Sequence, residues 1–94
     1  MRLQSNEIAQ IKETILREFG KSDIYIFGSR LDDKVRGGDI DIFIIPNKRS
    51  ENERTKKAKA IYYLEERLLK PIDIVIHSDF NRLIEQEALK GVLI

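Results

Sequence analysis

Apolar positions recur along this chain at two different spacings. Between Ser5 and Phe19 they fall at Ile8, Ile11, Ile15, Leu16 and Phe19, with Glu7, Lys12, Glu13 and Arg17 off that stripe. This helical period predicts an amphipathic helix that turns its stripe to a core. Ser5 is placed to cap its start and Gly20 its end. Asp23 to Phe27 (Asp-Ile-Tyr-Ile-Phe) is a denser run of β-branched and aromatic residues. It predicts a first strand, apolar on both faces and so covered on both sides. Gly28 ends the run, and Ser29 to Gly38 form a polar loop with three basic and two acidic residues. Ile40 to Ile45 predict a second strand, stopped by Pro46 and Asn47.

The helical period returns between Lys48 and Leu69. Ser50, with Glu53 three residues on, forms a capping-box pattern. Ala58, Ile61, Leu64 and Leu68, joined by Tyr62 and Leu69, make the expected buried stripe. Pro71 can open a strand but not sit inside one. Ile72 to Ile76 then predict a third strand, with Ile72, Ile74 and Ile76 on one face and Asp73, Val75 and His77 on the other. Ser78 or Asp79 is placed to cap a last helix with the stripe Phe80, Leu83, Ile84 and Ala88, closed by Gly91. The apolar tail Val92-Leu93-Ile94 either tucks against the sheet or meets a partner. No repeat, linker or low-complexity stretch interrupts this order. The pattern predicts an α/β (α+β) fold: one domain over residues 1–94, with a small mixed sheet of about three or more strands flanked by helices.

Bulk composition adds few constraints. The 94 residues are 41% hydrophobic and 35% charged, and 17 basic against 16 acidic side chains leave a net charge of +1. Overall charge therefore selects no polyanionic partner. Six of the basic residues lie in 48–60 against two glutamates. That run reads first as a solvated helix face, and second as a docking surface for an acidic partner or RNA. With no cysteine there is neither a disulfide framework nor a thiolate metal site. No apolar stretch has the length of a signal-peptide core or a membrane span, so a cytoplasmic protein with no membrane partner is expected.

The chemistry concentrates in residues 28–45 and at Asp73. Asp39 and Asp41, two residues apart, project from one face at the start of an isoleucine-rich strand. Asp73 interrupts another apolar strand. Carboxylates in apolar surroundings are costly, and neighbouring ones repel. Divalent cations answer both problems. Mg²⁺ is commonly held by one or two carboxylates together with substrate phosphates, and a pair of ions can clamp the attacking and leaving oxygens of a transfer at phosphorus. The Gly28-Ser29 turn offers backbone N–H groups and a hydroxyl to a phosphate. Arg30, Lys34 and Arg36 lie in the same loop. Arg30 either contacts phosphate or pairs with Asp32, Asp33 or a site acid. His77 reads as structural rather than catalytic, and Tyr62 and Tyr63 as helix packing rather than a platform for a base.

Phe27-Gly28-Ser29, nine intervening residues, Asp39-Ile40-Asp41, and Asp73 on a later strand together resemble the minimal nucleotidyltransferase (MNT) family of the DNA polymerase β-like superfamily. The ending Glu87-Ala88-Leu89-Lys90-Gly91-Val92-Leu93-Ile94 is also similar to that family's, so the resemblance spans nearly the whole chain. Gly38 departs from it, standing where such proteins often carry serine before the first aspartate. The resemblance implies a polymerase β palm-like fold and Mg²⁺-dependent transfer of a nucleoside monophosphate, AMP from ATP foremost, to a hydroxyl. Asp39, Asp41 and Asp73 would be the catalytic and metal-binding acids, with two ions expected. Gly28, Ser29 and Arg30 would bind the nucleotide. Relatives of this size pair with small helical HEPN-domain proteins as antitoxins that adenylylate the toxin, so a HEPN-type partner and a homo- or hetero-oligomer are implied. Nucleic acid is not the expected substrate. Two other readings stay open: transfer to a small molecule such as an antibiotic, and a non-enzymatic module that neutralises a partner by covering it.

Overall fold

The computed structural model of the protein describes residues 3–28 and 39–94. Helix α1 (Ser5–Phe19) leads into strand β1 (Ser22–Phe27). Strand β2 (Ile40–Pro46), helix α2 (Glu53–Leu68), strand β3 (Ile72–Ile76), helix α3 (Leu83–Leu89) and the short strand β4 (Val92–Leu93) follow. The strands form one mixed sheet in the order β3-β2-β1-β4. β1 runs antiparallel to β2 and β4, and β2 runs parallel to β3 through the α2 crossover. The tail therefore tucks in as a fourth strand, with Val92 opposite Ile26 and Leu93 opposite Tyr25.

Strand alternation sorts the side chains into two unequal cores. On one face, Ile26, Ile42, Ile44 and Ile74 are fully buried against Ile11 and Ile15 of α1 and Ala60 and Leu64 of α2. Each such isoleucine contributes about 1.5–3 kcal/mol by leaving water, so this layer holds the domain together. The other face carries a smaller cluster of Phe27, Phe43 and Ala88, flanked by Tyr25, Ile45 and Val75. Only α3 covers it among the described helices, and Asp41 and Asp73 share this face.

Several helix details differ from the sequence pattern. The cap of α1 is Gln4, whose N–H donates to Glu7 Oε1 at 3.0 Å, and Leu16 is exposed. α2 begins after Asn52, not at a Ser50 cap. The Ser50 hydroxyl instead accepts from Lys56 Nζ at 3.0 Å, and Glu53 pairs with Arg49 at 2.7 Å. Ala58 and Tyr62 face solvent, and Tyr62 is 69% exposed. Leu69 is not in the stripe either: it closes α2 in a left-handed conformation (φ 54°), 85% exposed. Tyr63 packs under the guanidinium groups of Arg17 and Arg67, each 4.2 Å from its ring centre.

The largest departure is α3. Its N-cap is Arg82 rather than Ser78 or Asp79, and its expected stripe points outward, with Leu83 79% exposed and Phe80 and Ile84 also exposed. The buried side is Glu85 and Ala88. Glu85 accepts from the N–H groups of Ser78 (2.8 Å) and Asp79 (3.0 Å) and from Arg82 Nη1 (3.0 Å), and its other oxygen lies 2.7 Å from His77 Nδ1. Burial pushes this carboxyl up, but the bonds from His77, Ser78 and Asp79 outweigh it and hold the group at about 2. An ionised carboxylate only accepts, so Nδ1 is the protonated nitrogen of His77. The ring also stacks on Phe80, centres 3.9 Å apart. His77 is thus structural, in agreement with its reading from sequence. Small Ala88 lets α3 lie close to Phe27 and Phe43. A Cβ on Gly91 would stand 2.9 Å from Phe27 Cβ and 2.3 Å from the Ile26 carbonyl oxygen.

Candidate active site

Three strand ends bring the acids together. β2 lies between β1 and β3, so the start of β2 meets the end of β1 and the start of β3. Asp41 is opposite Phe27 in the antiparallel pair and beside Asp73 in the parallel pair. Asp39 precedes β2, one alternation step before Asp41, and is exposed. Asp41 is half-buried and Asp73 exposed. Burial pushes the Asp41 carboxyl up, and the negative charges of Asp73 and Asp39 push it further the same way. Charge coupling of this kind requires the three acids to be neighbours.

Gly28 completes the row. It follows β1 directly with φ 81°, a backbone conformation that L side chains rarely adopt. A Cβ built there would stand 2.2 Å from Asp41 Oδ2. The Asp41 carboxylate therefore occupies the space that a side chain at position 28 would fill. Gly28→Ala is expected to strain the turn and displace the carboxylate together, destabilising the domain by about 1–3 kcal/mol. Urea denaturation should show that loss, and Gly20→Ala serves as control, since at a similar φ of 75° its Cβ would meet nothing within 4 Å.

The start of β3 is fixed from two sides. Ile40 N–H donates to the Pro71 carbonyl at 2.9 Å, and Ile72 N–H donates to Glu65 Oε2 of α2, also at 2.9 Å. Together they set the height of Asp73 against Asp41. Glu65 carries no sequence signal for this role, because the bond spans seven residues across a left-handed helix end. Ser29 and Arg30, the other two expected nucleotide-binding residues, lie outside the described residues.

Among the described residues, none of the acids is in an ion pair. Nor do three Asp, Glu, His or Cys side chains there close into a metal cage. A carboxyl raised by like-charged neighbours and left without a counter-ion is suited to a divalent cation that completes its shell with substrate phosphates and water. Asp41 and Asp73 lie side by side in the β2–β3 pairing, with Asp39 one alternation step before Asp41, and these are the side chains available to such a cation. A hollow of about 400 Å³ lined by Arg17, Ala58, Lys59 and Tyr62 lies on the α1–α2 side of the sheet, away from the acids. No helix among the described residues is long and apolar enough to cross a membrane.

No curated protein matches the chain. A family model described as nucleotidyltransferase domain matches residues 8–94. The match takes in the glycine turn, the acid row and the whole sheet. The chain belongs to the nucleotidyltransferase domain family, and its mixed four-stranded sheet flanked by helices is consistent with that fold.

Proposed function

We propose that the protein transfers AMP from MgATP to a hydroxyl on a partner protein, as the antitoxin beside a HEPN-type toxin. The observation that carries the transfer chemistry is the row Gly28, Asp41, Asp73 and Asp39, with Asp41 set against the glycine and repelled by the two other acids. Asp39 and Asp41 would hold Mg²⁺, and Asp73 would complete a second site and take the proton of the attacking hydroxyl. Gly28 and Ser29 would receive the β- and γ-phosphates, with Arg30 beside them. The cation, when bound, supplies charge neutralisation at the phosphates. The chain's own part is positioning, which accounts for a large share of catalysis at phosphorus. The partner reading is supported by the resemblance of residues 27–94 to that family.

The test is co-purification with the product of the neighbouring gene, followed by incubation with α-³²P-ATP and Mg²⁺. Label on the partner protein is expected, and none with Asp39→Ala or Asp41→Ala. Label that persists in those variants would remove the acids from the mechanism. If no NTP gives label and the alanine variants still neutralise the partner, the protein acts by covering it.

A further inference from the structure

Asp73 stands just past the link that carries the chain from α2 into β3. Of residues 69–73 only Ile72 is buried, and Leu69, Pro71 and Asp73 are exposed. The burial of Ile72 fixes the face on which Asp73 stands. No other side chain of the link is buried. At this end of the strand, the approach of Asp73 to Asp41 is therefore left to polar contacts.

Three such contacts grip the link. Lys70 Nζ donates to Glu7 Oε2 of α1 at 2.6 Å. The Pro71 carbonyl accepts from Ile40 N–H of β2, and Ile72 N–H donates to Glu65 Oε2. The Ile40–Pro71 bond stands one residue before Asp41 and two before Asp73. It fixes the side of the link that meets β2, and Glu65 fixes the side that meets α2. The main-chain carbonyl of Glu65 also accepts from Leu69 N–H at 3.0 Å. One residue thus holds both ends of the turn, Leu69 by its carbonyl and Ile72 by its side chain. Glu65 belongs to α2, which packs on the face of the sheet opposite the acids. It reaches the row only through the backbone of Ile72. What it gives that N–H is an acceptor, and glutamine carries the same acceptor at the same reach.

We propose that Glu65 is a positioning residue of the site: through its bond to Ile72 it holds Asp73 beside Asp41. This rests on the nucleotidyl-transfer reading given above, in which Asp73 takes the proton of the attacking hydroxyl. Without the bond, the link is held by β2 and α1 alone, and Asp73 moves relative to Asp41. A misplacement of about 1 Å at a reacting group is enough to lower a rate by about 10²-fold.

The test compares wild type, Glu65→Ala and Glu65→Gln, with α-³²P-ATP, Mg²⁺ and the co-purified partner. Glu65→Ala should lower kcat by about tenfold or more and leave KM for ATP within about threefold, because the phosphates are met at Gly28 and beyond. Glu65→Gln should keep kcat within about threefold of wild type. Arg49→Ala breaks the ion pair with Glu53 at the other end of α2 and should also keep kcat. An undiminished kcat in Glu65→Ala, equal losses in Ala and Gln, or a loss in Arg49→Ala as large as that in Glu65→Ala overturns the proposal. Amide exchange of Ile72 and the backbone chemical shifts of Asp73 are read on the same proteins without ATP. Exchange should quicken by about tenfold or more in Glu65→Ala, the Asp73 shifts should move with it, and both should hold their wild-type values in Glu65→Gln. If wild type labels no partner with any NTP, the transfer reading fails and these two readouts decide the positioning. Changed in Ala and kept in Gln, they show Glu65 holding Asp73 in place. Unchanged in Ala, or changed alike in both variants, they overturn it.

Discussion

Asp41→Asn should abolish transfer while leaving the domain slightly more stable than the wild type. Removing a preorganised charged group from the reacting centre typically lowers turnover by about 10²–10³-fold. Stability moves the other way because Asp41 is repelled by Asp73 and Asp39 and half-removed from water. A raised carboxyl binds its proton more tightly folded than unfolded. Its relative contribution is therefore best at low pH and erodes as pH rises through the ordinary value of 3.8 towards the raised one. At neutral pH the asparagine avoids that penalty. The gain should be about 0.5 kcal/mol, small because solvent screens a half-exposed group. Label transfer and urea denaturation on the same preparation test the pair of effects. A variant that loses activity and stability together would place Asp41 in a structural role.

Glu85→Ala should give the largest loss of stability of any charged position described. The substitution strands the N–H groups of Ser78 and Asp79 and frees His77 and Arg82, all of which Glu85 now satisfies. Losing several hydrogen bonds to one buried charge costs about 3 kcal/mol, or about 15 °C in Tm for a domain of this size. The pH dependence has a definite sign. Glu85 is held at about 2 against an ordinary 4.5, so its stabilisation is complete above pH 4.5. It is lost progressively as pH falls from there to about 2. The wild type should therefore weaken across that window, and Glu85→Ala should show a flatter profile with its deficit already present at pH 7. Calorimetry at pH 7, 4.5 and 3 reads both, and a parallel pH profile in wild type and variant would contradict the assignment.

The sheet and the acid row were readable in the amino acids, and the packing of α3 was not. Period-two alternation is rigid: once Ile40, Ile42 and Ile44 face the helices, Asp41 must face the other way, and likewise Asp73 opposite Ile72 and Ile74. Alternation puts His77 on the same face as Asp73 and says nothing of its partner, because Glu85 lies eight residues on in another element. In α3 the stripe rule failed because two forces outranked apolar burial. Glu85 is buried with four hydrogen-bonding partners, His77, Ser78, Asp79 and Arg82, that hold it there, and Ala88 is small enough to bring the helix down onto Phe27 and Phe43. Leu83 and Ile84 are left outside in consequence. β4 has two residues, too few for any periodicity, and exists because β1 offers it an edge at Tyr25 and Ile26. α2 starts after Asn52 and not at Ser50 because Ser50 and Glu53 have the spacing of a cap but engage Lys56 and Arg49 instead.

The acid row, which has no ion-pair partner among the described residues, ties the stability of this domain to the occupancy of its site. Whatever binds the folded row and not the unfolded chain adds to folding free energy by RT ln(1 + [L]/Kd). Asp73 and Asp39 repel the Asp41 carboxylate in the free protein, so relief of that repulsion is part of the binding energy of any cation that enters beside Asp41. The resting state is the electrostatically loaded one. The strain sits at the junction of β1, β2 and β3, the same place where a ligand would discharge it.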